Sequence, residues 1–153
     1  MTTLPELTLA RFVEAVGEDR PAPGCGGAAA VSLALAAACA RKAFTISARR
    51  HGGQAELEAA AERCRVLSQA AILGVQRDAN HFEAFLKAHG RDDEPARALE
   101  GDAQVLIALA AEIRALIARH GHAVDAHLAG DAAAALALAD AFEQIQTRNL
   151  LDV

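Results

Sequence analysis

One aspartate, Asp78, stands inside an otherwise apolar row. Alternate steps of four and three connect Leu57, Ala61, Cys64, Ser68, Ala71, Val75, Asp78, Phe82 and Phe85. That spacing is a helical seam. A carboxylate in such a seam is costly unless it is paired or hydrogen-bonded. Arg77 is adjacent in sequence but points away on a helix. Three readings stay open: an arginine from another helix meets Asp78, the seam is open to water there, or Asp78 is a site carboxylate. As a site carboxylate it would have a raised pKa and serve proton transfer or bind a cationic substrate.

Two more polar residues, Asp131 and Asn149, share a second row with Leu128, Ala135, Leu138, Phe142 and Ile145. Asp131 is either a first-turn helix residue favoured by the macrodipole or a second site carboxylate. Asn149 is either an interhelical hydrogen-bonder or a ligand contact. A third row, Leu99, Asp102, Leu106, Leu109, Ile113, Leu116 and His120, has its polar members near the helix ends, where solvent is expected to reach them.

The stretch RPAPGCGGAAAV, residues 20–31, places Pro21, Pro23, Gly24, Gly26 and Gly27 at the mouth of an alanine-rich run. The prolines hold the chain extended and the glycines permit a tight entry into a helix. The same arrangement also exposes N–H groups at a helix N-terminus, a site for an anion or a carbonyl. It is not a dinucleotide fingerprint, because no strand precedes it. Arg41, Lys42, Arg49 and Arg50 end that helix, as a solvated basic end or as a docking point for an anionic tail. His120, His122 and His127 fall in one loop and are expected to be solvated. A metal there would need a further ligand, and no metal site is assigned.

These residues must be positioned by helices. Alanine, leucine, glutamate, glutamine and arginine dominate, and nothing reads as a strand. The spacing predicts helices over 7–16, 27–50, 54–88, 95–120 and 131 to the C-terminus, broken by Gly17, His51-Gly52-Gly53, the segment HGRDDEP and the segment HAVDAHLAG. The fold class is all-α: an antiparallel bundle of about five helices with long central members. Residues 1–153 form one domain, since the length suits one core and no linker or repeat interrupts it.

Composition narrows the function classes. A net charge of −5, no basic run and no Trp or Tyr exclude a nucleic-acid binder. The N-terminus lacks a signal-peptide pattern, and the run Gly26–Ala40 is shorter than a bilayer span, so a cytoplasmic chain without a membrane partner is expected. Three cysteines, Cys25, Cys39 and Cys64, form no C-x-x-C pair. A core built of alanine buries little area per residue, which favours a homodimer.

Three blocks carry a family resemblance. FVEAVGEDRPAPGCGGAAAVSLALAAA resembles the opening helix and P-x-P-G-G-G-S turn of the cyclodeaminase/methenyltetrahydrofolate cyclohydrolase family. RDANHFEAFLKA resembles its D-x-x-x-[FY] block, with Asp78 and Phe82 on the motif positions. DAHLAGDAAAALALADAFEQIQTRNL resembles its N-x-N-x-x-S-D block and following helix, with Asp131 on the aspartate and Asn149 on the closing asparagine. The chain departs from the pattern at Gly24-Cys25-Gly26-Gly27, where the serine is replaced by Gly27. It departs also at SARRHGG in place of a lysine-rich segment, and at Asp125 and His127 in place of the N-x-N pair. The family pattern continues with a further helix past Val153.

The resemblance implies the helical fold of the C-terminal domain of formiminotransferase-cyclodeaminase. It implies one-carbon chemistry on a tetrahydrofolate derivative as substrate, with no cofactor. Asp78 and Asp131 are then the catalytic candidates, expected to converge across one pocket from different helices. Gly24, Gly26, Gly27, Phe82 and Asn149 are the candidates for binding the folate, and Arg41 and Lys42 for its carboxylate tail. The alternatives are a non-catalytic helical dimer that binds folate or a partner, and an enzyme of this fold acting on another pterin carrier.

Overall fold

A computed structural model of the chain describes residues 3–88 and 92–151. Five α-helices follow in order: α1 (Leu9–Val16), α2 (Cys25–Arg50), α3 (Ala55–Ala88), α4 (Glu94–His120) and α5 (Ala129–Leu151). Short 3-10 turns stand at Leu4–Glu6, Gly121–Ala123 and Ala126–Leu128. The described residues contain no strand. Helix ends fall within two residues of the expected positions, because the breakers are strong. Gly52 and Gly53, at φ 78° and 84°, occupy the left-handed region that a side chain resists, and they end α2 cleanly.

Side-chain pairs fix the topology. Ser68 Oγ on α3 donates to the Ala34 carbonyl on α2 at 3.0 Å, while Gly27 faces Val75. Rising numbers on α2 therefore meet falling numbers on α3. Arg63 on α3 binds Glu112 on α4, and Arg114 on α4 binds Asp140 and Glu143 on α5. Cys25 meets Asn149 at one end of α2 and Lys42 meets Asp131 farther along it. The pairs α2–α3, α3–α4, α4–α5 and α2–α5 are thus antiparallel, and α2 is the shared axis packed by α3, α4 and α5.

Alanine makes that packing possible. Ala29, Ala30, Ala36, Ala37, Ala40 and Ala43 are fully buried, so the partner helices lie close to the α2 backbone. Phe44, Phe142, Leu33, Leu57, Leu67, Leu106 and Ile113 fill the space the alanines leave. The helix as formed is longer than the expected apolar run. Its 26 residues are long and apolar enough to cross a bilayer, and half of its most apolar window is buried inside the bundle.

The loop of histidines differs from expectation at one position. His122 and His127 are exposed, but His120 is half-buried and packs edge-on against Phe44, with ring centroids 6.1 Å apart. An imidazole is apolar enough over its carbons to close the end of the core there.

Candidate active site

The start of α2 builds the first wall. Pro21, a cis Ala22–Pro23 peptide and Gly24 lead into the helix, and Gly24 caps it without a side-chain hydrogen bond. The amides of Cys25, Gly26 and Gly27 precede the first intrahelical bond, which Ala28 N–H makes to the Gly24 carbonyl at 3.0 Å. Those of Cys25 and Gly26 are orphan donors at the positive end of a long helix, while the Gly27 N–H donates to Asp78. The absence of side chains lets α3 approach. A methyl on Gly26 would overlap the Asp78 carboxyl group, and one on Gly27 would meet Pro23, Val75 and Phe12.

Asp78 therefore sits against the mouth of α2. Burial pushes its carboxyl up to about 6, Asp102 nearby pushes the same way, and His81 and the Gly27 N–H partly oppose them. Its carboxyl group meets the Gly27 amide rather than an arginine.

A cavity of about 440 Å³ opens beside it. Gly24, Cys25 and Gly26 line one side, Asp78, Phe82 and Phe85 the second, Leu99 and Ala103 of α4 the third, and Gln146, Asn149 and Leu150 of α5 the last. Phe82 and Phe85 stack at 6.4 Å between centroids, giving an apolar wall one turn long. Asn149 Nδ2 donates to Gln146 Oε1 at 2.9 Å, and its Oδ1 accepts from the Cys25 thiol at 3.2 Å. The result is a mostly apolar pocket with one carboxyl group, several amides and a thiol converging on it, which is the usual make-up of a small-molecule site.

The structure brings together Gly24, Gly26, Asp78, Phe82 and Asn149 from the sequence candidates. Gly27 joins them through its amide rather than as a lining residue. The expected convergence of Asp78 and Asp131 across one pocket is not found within the chain. Asp131 Oδ1 accepts from Lys42 Nζ at 2.9 Å, sixteen residues along α2 from Gly26, about 24 Å at 1.5 Å per residue. Lys42 is engaged there, and Arg41 is exposed beside it, so neither reaches this cavity.

Two residues were missed by the sequence reading. Gln146 is the one long polar side chain among the buried residues of α5, and it lines the cavity. Asp102, expected at a solvated helix end, is part-buried beside Asp78. Its Oδ2 lies 2.7 Å from His81 Nδ1 and its Oδ1 lies 3.6 Å from Arg77 Nε. The signal was present in the i, i+3 spacing of Asp78 and His81, which puts both on one side of α3.

A second, polar cleft lies at the far end of α2, among Arg50, His51, His122, Asp125 and His127. Arg50 Nη1 binds Asp125 Oδ2 at 3.0 Å, and the His127 amide and Arg50 together hold the Asp125 carboxyl below its ordinary range. Among the described residues no three His, Cys, Asp or Glu side chains gather closely enough to hold a metal ion.

The decisive comparison is at the level of sequence: the family model described as Formiminotransferase-cyclodeaminase matches residues 8–147. The chain belongs to the formiminotransferase-cyclodeaminase family. The matched stretch includes every wall of the cavity except the end of α5. A solved structure, formiminotetrahydrofolate cyclodeaminase from Thermotoga maritima, superposes with a TM-score of 0.89 at 22% identity. It covers 95% of this chain and 77% of the Thermotoga chain. The formiminotransferase-cyclodeaminase fold is therefore present almost from end to end. A search of curated proteins finds no match.

Proposed function

We propose that this chain interconverts one-carbon forms of tetrahydrofolate, with hydrolysis of the methenyl form as the reaction its cavity suits best. The observation that carries this reading is the part-buried Asp78 carboxyl group at the head of an apolar cavity of about 440 Å³. The methenyl bridge is a delocalised amidinium cation on a flat ring system. An apolar wall of Phe82 and Phe85 suits the ring, and a single desolvated carboxylate suits the cation.

The chemistry follows from the pKa. A carboxyl titrating at about 6 is mostly ionised at neutral pH, yet far more basic than an ordinary aspartate. As water adds to the bridge carbon, the new C–O bond forms and a water proton passes to Asp78. When the C–N bond of the five-membered ring breaks, the leaving nitrogen takes a proton from Asp78. The formyl group stays on the other nitrogen and the second water proton goes to solvent. The Cys25 and Gly26 amides at the start of α2 are placed to hold a carbonyl or carboxylate of the ligand. No cofactor enters this scheme.

Asp78→Asn tests it. The variant keeps the shape of the side chain and removes the base. We expect the loss of methenyltetrahydrofolate absorbance to fall to the spontaneous rate, with the fold intact. Turnover equal to the parent protein would end this role for Asp78. A second reading, folate binding without turnover, is favoured by one observation: among the described residues a single carboxyl group lines the cavity, with Asp131 held by Lys42 elsewhere. A ligand-induced thermal shift with no acceleration by the parent protein would decide for it.

A further inference from the structure

One buried donor in the cavity wall is left without a protein partner. Gln146 of α5 is 4% exposed and lines the cavity. Its Oε1 accepts from Asn149 Nδ2 at 2.9 Å, and nothing among the described residues accepts from its Nε2. No fully buried side-chain nitrogen or oxygen among the described residues lacks a partner, so Nε2 opens onto the cavity that Gln146 lines. Polar groups inside proteins are nearly always hydrogen-bonded, and a donor aimed into a pocket is completed by what enters it.

A relay fixes which end of the amide faces inward. The Cys25 thiol donates to Asn149 Oδ1 at 3.2 Å, which turns Asn149 Nδ2 toward Gln146. An amide nitrogen only donates, so Nδ2 takes Oε1 and leaves Nε2 for the cavity. A flipped Gln146 would set two NH2 groups against each other. The α5 wall therefore presents a donor, while the ionised Asp78 carboxylate on the α3 wall only accepts.

The surroundings select among acceptors. Phe142, one turn earlier on α5, is fully buried, and Leu99, Ala103 and Leu150 line the same cavity. Among the described residues no lysine or arginine lines it. A ligand carboxylate at Gln146 would be buried without a counter-charge, which is costly. A neutral oxygen on the edge of a flat ring loses far less on leaving water. The stacked Phe82 and Phe85 supply the face for such a ring.

We propose that Gln146, oriented by Asn149 and Cys25, is a specificity-determining residue that reads an oxo group on the edge of a flat heterocycle and rejects an amino group there. This deepens the proposed function and rests on it for the identity of the ring. The pterin of tetrahydrofolate carries such an oxo group, and its 4-amino analogue carries a donor in the same place. The oxo group accepts from Nε2. The amino group would meet it N–H to N–H and leave donors unpaired in a dry wall.

The test uses tetrahydrofolate and 4-amino-4-deoxytetrahydrofolate as probes. Titration calorimetry gives both dissociation constants for the parent protein, Gln146→Met and Gln146→Glu, and circular dichroism establishes that each variant is folded. Methionine keeps the length without polar atoms. Glutamate keeps an acceptor for Asn149 and turns the inward donor into an acceptor. The ratio of the two constants is the readout, since Asp78 and the aromatic wall are the same in every variant. The preference for the oxo ring is expected to fall by roughly tenfold in Gln146→Met and further in Gln146→Glu. Asn149→Ala, a third variant at a less buried position, lets the amide turn over and should lower the preference by a smaller factor. A merely structural role for Gln146 would weaken both rings alike. A ratio within about twofold of the parent's in the folded variants therefore overturns the proposal. The expected ratios with no turnover of methenyltetrahydrofolate by the parent keep Gln146 in this role and remove the proposed reaction. Binding of neither ring to the parent overturns both.

Discussion

Asp78 has a consequence for stability that is opposite to that of an ordinary surface aspartate. Unfolded, it titrates near 3.8; folded, at about 6. Between those values the folded state binds the extra proton, so stability falls as pH rises through that window. Above it the protein carries a charge that its surroundings penalise. Asp78→Asn is expected to gain on the order of 1–2 kcal/mol near pH 7.5 and nothing near pH 3.5, read from urea unfolding at both. A variant less stable than its parent near pH 7.5 would show that the amides at α2 outweigh desolvation. Gly26→Ala acts on the same contact from the other side. Its methyl overlaps a carboxyl group on a short stem that cannot swing away, so a loss of about 1–3 kcal/mol is expected, together with loss of any folate-induced thermal shift. Asp78 was legible in the sequence because a lone carboxylate contrasts with leucine, valine and phenylalanine. Gln146 was not, because α5 is so rich in alanine that its buried face has no contrast. Its phase runs through Ala135, Ala139, Phe142 and Gln146 rather than through Asp131 and Asn149 alone.

At the level of elements, the breakers were readable and the relative placement of the site residues was not. Gly17, His51-Gly52-Gly53 and Pro95 mark helix ends by known backbone preferences, and the helices end there. Asp131 and Asn149, however, are eighteen residues apart on one helix, about 27 Å. That length already separates them within a single chain, whatever motif each belongs to. The segment HAVDAHLAG read only as a loop, yet it is organised by one buried hydroxyl. Ser47 of α2 is fully buried and its Oγ accepts the Asp125 N–H at 2.9 Å. Asp125 then caps the turn at Ala126–Leu128 through the His127 amide and binds Arg50. Ser47→Ala leaves that amide without its partner at a part-buried position. The expected cost is about 1–2 kcal/mol by thermal or urea unfolding, with hydrogen exchange at Asp125 rising ahead of global unfolding. Protection at Asp125 equal to that of the parent would mean that water replaces the hydroxyl there.

Across the whole molecule, the small side chains that made the fold class legible also set how it can be perturbed. Only five phenylalanines and no tryptophan or tyrosine are available to fill a core. The bundle therefore gains its burial by bringing backbones together over alanine, with α2 enclosed on several sides. Such a core has little room for growth, since protein interiors are already packed to crystal-like density. Ala37 and Ala38 are neighbours in sequence, but Ala37 is fully buried and Ala38 is exposed. Leucine has a comparable helix propensity at either position, so the pair isolates packing from propensity. Ala37→Leu must push α2 away from its partners, and a cost of about 1–3 kcal/mol is expected. Ala38→Leu should change stability by less than about 0.5 kcal/mol. Because the cavity walls come from α2, α3, α4 and α5 together, the same displacement should weaken ligand-induced stabilisation in Ala37→Leu and leave it intact in Ala38→Leu. Melting curves with and without a folate ligand separate the two effects. Equal melting temperatures for the two variants would mean that the bundle can spread around α2 at no cost, contrary to the close approach that its alanines define.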